Sequence, residues 1–215
     1  AIWQVLGQQI LMGRMLLPAE MLTALQSPGS GDLTTMLTEL VTIKLRRQAG
    51  DPTLTSEEIA RIETVIPYNL DAWDGYAYER EVLLGTARGL NQNLIVLAGD
   101  THNAWANNLA TLSGDAVGVE FATASVSSPG LEDYLGLPDA LIADAEQGIG
   151  LLVDGLDYLN INQRGYMVVT FTQEEARANW YFVDTVKSRE YTVDNSRSAA
   201  RKSLPGAGNR TVDPV

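Results

Sequence analysis

Cysteine is absent from the 215 residues of this chain, and histidine occurs only once, as His102. A chain without cysteine has no disulfide framework, no thiolate zinc site and no cysteine nucleophile. Basic residues are also few: 15 Lys and Arg stand against 27 Asp and Glu, which gives a formal net charge of −12. Because no basic stripe with interleaved aromatics occurs either, the sequence predicts no nucleic-acid-binding surface.

Long apolar runs are missing as well. The longest, residues 94–98 and 165–171, are too short to cross a bilayer, so no membrane span is predicted. A hydrophobic content of 45% is enough for one sizeable core, or one core with a small lobe. The chain starts at Ala1 with no signal-peptide pattern, and we interpret it as a mature product or a fragment of a longer protein.

The spacing of apolar residues divides the chain into helices and strands. It predicts helices over residues 19–25, 33–46, 56–65, 78–91 and 138–147, and strands over residues 2–12, 94–98, 117–123, 156–162, 166–172 and 177–184. A helix that leads directly into a buried strand, as in residues 78–98, is typical of a parallel or mixed sheet covered by helices. The predicted class is therefore α/β.

Breaks rich in Gly and Pro indicate how these elements are organised. They occur at residues 27–32 and 49–53, so residues 18–66 are predicted to be a helical insertion, either a lid or a decoration packed on the core. The polar segment 196–215 is predicted to be a C-terminal tail that wraps the surface or frays. Residues 1–195 then form the main domain.

The sole histidine lies in the segment NLIVLAGDTHNAWANNL. Asp100 and His102 follow a predicted strand, where ligands bind in open α/β sheets. A carboxylate and an imidazole two positions apart can chelate one metal ion, with Asn103 and Asn107 available to orient them. The alternative is structural: Asp100 or Thr101 caps a helix that begins near Asn103.

Four further residues are candidates for the same site. Trp73 and Asp74, in DAWDGY, are candidates to contact the substrate or to gate the mouth of the site. The alternative is a helix-capping loop whose aromatic side chains pack on the core. Ser125 either binds phosphate oxygens or caps a turn, and Arg164 contacts either phosphate or a carboxylate. A serine-hydrolase triad is not expected, because the only imidazole is assigned to the metal.

Five motifs, in their order along the chain, resemble the C-terminal half of the alkaline phosphatase D (PhoD-like) family. They are WQVLGQQILM, YNLDAWDGYAYERE, LIVLAGDTHNAWANNL, GVEFATASVSSPG and NQRGYMVVTFTQEEARANWYFVDTV. The resemblance implies a calcineurin-like metallophosphatase sandwich of two mixed β-sheets flanked by helices. It also implies that Asp100 and His102 are catalytic metal ligands, that the metals are iron and calcium, that the substrate is a phosphate ester, and that the protein is secreted or periplasmic.

The family's early metal-binding motifs have no counterpart here. A binuclear centre needs about six protein ligands, and only Asp100 and His102 match. We therefore predict that the N-terminal portion of the same protein, as a separate or missing chain, completes the active site. A non-catalytic binding protein and a surface-assembly component that keep the fold remain alternatives.

Overall fold

The structure, a computed structural model, describes residues 1–26 and 33–215, and the predicted break at residues 27–32 lies outside them. The strands are β1 (Gln4–Gly7), β2 (Leu16–Pro18), β3 (Val65–Pro67), β4 (Leu94–Ala98), β5 (Ala104–Ala110), β6 (Ala116–Ala122), β7 (Leu156–Asn160), β8 (Arg164–Phe171), β9 (Ala176–Val183), β10 (Ala199–Ser203) and β11 (Asp213–Pro214). The helices are α1 (Ala19–Gln26), α2 (Leu33–Gln48), α3 (Ser56–Glu63), α4 (Ala77–Gly89), α5 (Leu131–Tyr134) and α6 (Ile142–Leu152), with 3-10 turns at Trp73–Gly75 and Asp139–Leu141. Among these helices, none has the length and apolar content needed to cross a membrane.

The larger sheet has the strand order β1-β4-β6-β5-β7. β1, β4 and β6 are parallel, whereas β5 runs antiparallel to both of its neighbours. The apolar run of β4 is buried almost throughout, as expected for a strand covered on both faces. Because the three parallel strands end at the same edge, the loops that follow them meet there.

The smaller sheet, β11-β10-β9-β8, is antiparallel and packs face to face on the larger one. Phe121 and Trp180 meet between the sheets with ring centroids 5.9 Å apart. The Trp180 indole donates a hydrogen bond of 2.8 Å to the carbonyl of Ala122. The predicted sandwich of two sheets flanked by helices is confirmed, with the second sheet antiparallel rather than mixed in the part of the chain described.

Helices cover the other face of the larger sheet. Leu84 of α4 packs in a cluster with Val96 of β4, and Leu40 of α2 shares a second cluster with Ile149 of α6. β2 and β3 pair antiparallel at the two ends of the segment 18–66. The helices of this segment thus pack on the core, while its status as an insertion remains a prediction.

The junction between α2 and α3 is held by polar side chains. Thr55 caps α3 by accepting a 3.1 Å hydrogen bond from the amide of Glu58, and the Glu58 carboxylate accepts one of 2.8 Å from the amide of Thr55. This capping box satisfies amides that the first helical turn leaves free. Arg46 of α2 then bonds both Glu58 and Asp51 at 2.8 Å, which connects the two helices.

We expect Asp51→Asn to make the free energy of unfolding of the protein less dependent on pH. Hydrogen bonds from Thr53 and Arg46 lower the pKa of Asp51 from 3.8 to about 2. Because the folded pKa lies below the unfolded one, the carboxylate stabilises the fold above pH 3.8, and this contribution is lost as the pH falls toward about 2. Urea unfolding should therefore show a wild-type advantage at neutral pH that shrinks in acid. A difference in unfolding free energy between wild type and variant that does not change with pH would contradict the prediction. Glu57→Gln, on the exposed surface of α3, is the control.

The strand predicted over residues 2–12 is observed only as Gln4–Gly7. Two further segments differ from their predicted structure. The alternative of a helix beginning near Asn103 is wrong, because Ala104–Ala110 forms β5, paired on both sides with β6 and β7. The segment 196–215 does not fray as a tail: it contains β10 and β11, which extend the smaller sheet. Its Arg210 is buried and donates a 2.6 Å hydrogen bond to Asn91. In both segments, pairing with distant strands determined the outcome.

Candidate functional site

The candidate site lies at the edge of the larger sheet where β1, β4 and β6 end. The polar residues that follow these strands are Gln8 and Gln9 after β1, Asp100 and His102 after β4, and Ser125 after β6. β4 and β5 are consecutive in the chain but separated by β6 in the sheet, so the loop 99–103 must pass across the end of β6. The topology therefore brings motifs from three parts of the sequence to one edge.

The loop that carries Asp100 and His102 has an unusual backbone. Both residues have left-handed conformations, with φ of 64° and 63°. Asp and His tolerate this region better than most residues, yet each such position costs about 1 kcal/mol. Strained positions of this kind cluster at active sites and ligand-binding loops. Asp100 is exposed and His102 is half-buried, so both side chains are within reach of a ligand.

Gln9 holds Asp100 in place. The Gln9 side-chain amide donates a 3.0 Å hydrogen bond to Oδ1 of Asp100. The Gly99 amide donates a 2.9 Å hydrogen bond to the carbonyl of Gln9, so the two loops are joined twice. Gln9 lies within the motif WQVLGQQILM but was not predicted to be a site residue. The sequence feature that could have indicated its role is the pair Gln8 and Gln9 directly after a strand.

The ring of His102 has one nitrogen engaged by the protein. Its Nδ1 lies 2.7 Å from the carbonyl oxygen of Pro129. A carbonyl only accepts hydrogen bonds, so this contact requires the proton on Nδ1. The lone pair of Nε2 is then available to a metal ion, the arrangement common for metal-bound imidazoles.

Asn103 holds the loop on the side of β5. Its buried amide donates a 2.6 Å hydrogen bond to the Ile161 carbonyl and accepts one of 3.2 Å from the Leu131 amide. Asn103 therefore connects the His102 loop with the loop that carries Pro129.

Ser125 and Arg164 make the contacts that their structural alternatives predict. The Ser125 hydroxyl donates a 2.6 Å hydrogen bond to the Ser128 carbonyl, which closes a turn. The Ser125 amide donates to the carbonyl of His102 at 3.3 Å, so the turn also contacts the loop that carries His102. Arg164 is buried and forms an ion pair with Glu132.

The side chains of Trp73 and Asp74 form hydrogen bonds with different parts of the chain. The Trp73 indole donates a 3.1 Å hydrogen bond to the Gln8 side chain, next to Gln9. The Asp74 side chain is only 3% exposed and accepts a 2.8 Å hydrogen bond from the Met15 amide. Trp73 thus lies at the edge of the site, and Asp74 supports the chain that enters β2.

We expect Asp74→Ala to destabilise the protein by about 1–3 kcal/mol, the cost of leaving a buried amide without a hydrogen bond. The orphaned group would be the Met15 amide. The matched control is Asp71→Ala, three positions earlier on an exposed surface. Urea unfolding followed by tryptophan fluorescence measures both, and equal effects for the two variants would rule out the prediction.

Asn107 lies inside the larger sheet and contacts neither candidate ligand through a hydrogen bond. Its amide donates to Glu120 at 2.9 Å, and the same carboxylate accepts from the amides of Met12 at 2.6 Å and Gly13 at 2.9 Å. Complete burial raises the pKa of Glu120, against the effect of these donors. A Cβ on Gly13 would lie 2.5 Å from the Asn107 side chain, so only glycine fits there. This buried cluster holds the chain that follows Gln9.

Asp100 and His102 are suitable metal ligands by residue type, but two ligands are too few for a metal site. A carboxylate and an imidazole with a free Nε2 are suitable ligands for transition metals. Within residues 1–26 and 33–215, however, no group of three or more His, Asp and Glu residues could hold an ion. The described residues therefore offer only these two candidate ligands at the sheet edge.

Comparison with known proteins agrees with this fold. The family model of the PhoD-like phosphatases matches residues 1–180. Alkaline phosphatase D of Bacillus subtilis (strain 168) is 38% identical over an alignment of 68 residues, and the match covers 29% of this chain and 12% of that protein. A solved "Structure of PhoD" has a TM-score of 0.60 and 19% identity, and the match covers 100% of this chain and 32% of that one. The resemblance predicted from the five motifs is confirmed, and this chain spans about a third of the solved protein.

Proposed function

Because this chain belongs to the PhoD-like phosphatase family, we propose that it forms the C-terminal portion of a metal-dependent enzyme that hydrolyses phosphate monoesters and diesters. The observation that carries the proposal is the orientation of His102. Its Nδ1 is held by the Pro129 carbonyl, which leaves Nε2 free beside Asp100 in a strained loop. Such a loop is suited to ligand binding rather than to packing.

The metal ions of this proposal are iron and calcium, as the family resemblance implies. Nε2 of His102 and the carboxylate of Asp100 would hold an ion at the sheet edge. When bound, such ions supply positive charge to the phosphoryl group and make water more acidic. The need for that charge agrees with the net charge of −12, which by itself repels a phosphate ester.

The surrounding residues would have positioning roles. Gln9 orients the Asp100 carboxylate, and its neighbour Gln8 holds Trp73 at the approach to the site. Asn103 and Ser125 hold the loops on either side of His102. Three residues act at a distance from the ligands. Arg164 acts through its ion pair with Glu132, Asp74 through the Met15 amide, and Asn107 through the Glu120 carboxylate.

The remaining metal ligands would come from the N-terminal portion of the same protein. Two observations support this part of the proposal: the described residues offer only two candidate ligands at the sheet edge, and the chain covers 32% of the solved relative. A secreted or periplasmic location is proposed from the family resemblance alone.

The test is an assay of this chain, of the N-terminal portion and of the two combined. Nitrophenyl phosphate and bis-nitrophenyl phosphate are the substrates, with iron and calcium added. We expect turnover only from the combination, and loss of turnover after treatment with a chelator. Equal turnover by this chain alone would refute the division of the site. A combined protein that binds no metal and hydrolyses neither ester would instead support the alternative, a non-catalytic binding or surface-assembly protein.

A further inference from the structure

The carbonyl that contacts the imidazole of His102 belongs to a group of residues joined by hydrogen bonds and an ion pair. We call it the support cluster, and it consists of Asn103, Arg164 and residues 129–132; Pro129 is exposed, whereas Asn103, Gly130, Leu131 and Arg164 are buried. We propose that the support cluster fixes the tautomer of His102, so that Nε2 is presented to the metal before any ion binds. Its members are positioning residues, and the inference rests on the proposed function of His102 as a ligand.

The first step concerns the carbonyl that accepts from His102. Pro129 supplies this carbonyl at 2.7 Å from Nδ1. The next amide, that of Gly130, donates to Oε1 of Glu132 at 3.4 Å. The position of the Pro129 carbonyl, and with it the direction of the hydrogen bond to the imidazole, therefore depends on Glu132.

Glu132 is in turn held by Arg164. The two side chains form an ion pair and are only 14% and 9% exposed. Oε2 of Glu132 and Nη1 of Arg164 are buried without a further hydrogen-bond partner among the described residues. Each charge therefore depends on the other for compensation, and neither can move without leaving its partner unpaired.

A buried ion pair contributes little stability compared with apolar residues of the same volume, but it can hold one geometry. In this protein the geometry it holds is that of the chain between Pro129 and Glu132. A Cβ on Gly130 would lie 2.4 Å from Nδ2 of Asn103 and 2.7 Å from the Ile161 carbonyl oxygen, so no larger residue fits there unless its neighbours move.

Asn103 closes the cluster from the opposite side. It is the residue directly after His102, and its amide bridges the Leu131 amide and the Ile161 carbonyl. The His102 backbone and the Pro129 carbonyl are thus tied to one another by a second route.

The single histidine makes the proposal directly measurable. Nitrogen NMR of the labelled 215-residue chain, without metal and at a pH where the ring is neutral, shows which ring nitrogen carries the proton. We expect one tautomer in the wild type, with the proton on Nδ1. Glu132→Gln, which keeps the shape and removes the charge, is expected to give a mixture of both tautomers.

A second variant allows the proposal to be tested even if Glu132→Gln does not fold. Asn103→Ser removes the bridge to Leu131 and leaves the ion pair intact, and it is also expected to give a mixture. Leu84→Ala is the control, because it destabilises the core between α4 and the larger sheet and Leu84 does not belong to the support cluster. The proposal is overturned if both cluster variants keep the single wild-type tautomer, or if Leu84→Ala produces the same mixture. Because neither metal nor substrate is present, this result is independent of the hydrolysis assay.

Discussion

Replacing His102 with alanine is expected to lower phosphate-ester hydrolysis by the combined enzyme by about a hundredfold or more. Mutation of the residues that support a metal ligand lowers metal affinity or activity by about 10–100-fold, so loss of the ligand itself should lower activity by more than that. Asp100→Asn should act in the same direction. It retains an oxygen that can accept from Gln9 and removes only the charge, so a loss would be due to metal or phosphate chemistry rather than to loop structure.

The measurement combines kcat/KM with the metal content of the purified protein. Asp157→Asn is the matched control, since this carboxylate pairs with Arg201 on β10, away from the sheet edge that carries the site. We expect the control to keep both activity and metal. If His102→Ala retained wild-type rate and metal content, His102 would not be a ligand and the proposed site would be abandoned.

Glu120→Ala is expected to cause the largest loss of stability, at least about 3 kcal/mol. The substitution would leave three donors without their acceptor, namely the amides of Met12 and Gly13 and the side chain of Asn107. Each unsatisfied buried group costs about 1–3 kcal/mol. Domains of this kind are stable by only about 5–15 kcal/mol in total, so a large share of the stability would be lost.

Glu120→Gln provides the comparison for this prediction. It keeps the side-chain volume and one acceptor oxygen, so its loss should be clearly smaller than that of the alanine variant. Urea unfolding with linear extrapolation gives the free energy of unfolding, and an unchanged slope shows that the same surface is exposed. Equal losses for the two variants would mean that volume, and not hydrogen bonding, is what Glu120 provides.

Local periodicity predicted only part of the regular elements, and β2, β3, β5, β10, β11 and α5 were not among those predicted. The helix predicted over residues 78–91 is observed as Ala77–Gly89, and the strand predicted over residues 94–98 is observed as Leu94–Ala98. In such segments the spacing of apolar residues already determines which side is buried. β5 was missed because its alanines and asparagines carry no strand pattern, and only its pairing with β6 and β7 makes it a strand.

The position of Asp100 and His102 after a buried strand, and the family resemblance, were available from the sequence alone. The residues that orient them were not. Gln9 is 91 positions from Asp100, and Pro129 is 27 positions from His102. Nothing in the composition around Gln9 or Pro129 indicates those partners, because contacts over such separations arise only when the sheet assembles.

The fold class, the family and the strand-end placement of the two candidate ligands follow from local spacing and from ordered motifs, so they could be predicted without coordinates. The free nitrogen of His102, the burial of the Glu120 carboxylate in the sheet and the place of residues 199–203 in a second sheet became known only from the folded chain. All three have one cause. A hydrogen bond or a strand pairing is specified by its partner, and the partner becomes known only when the chain is folded.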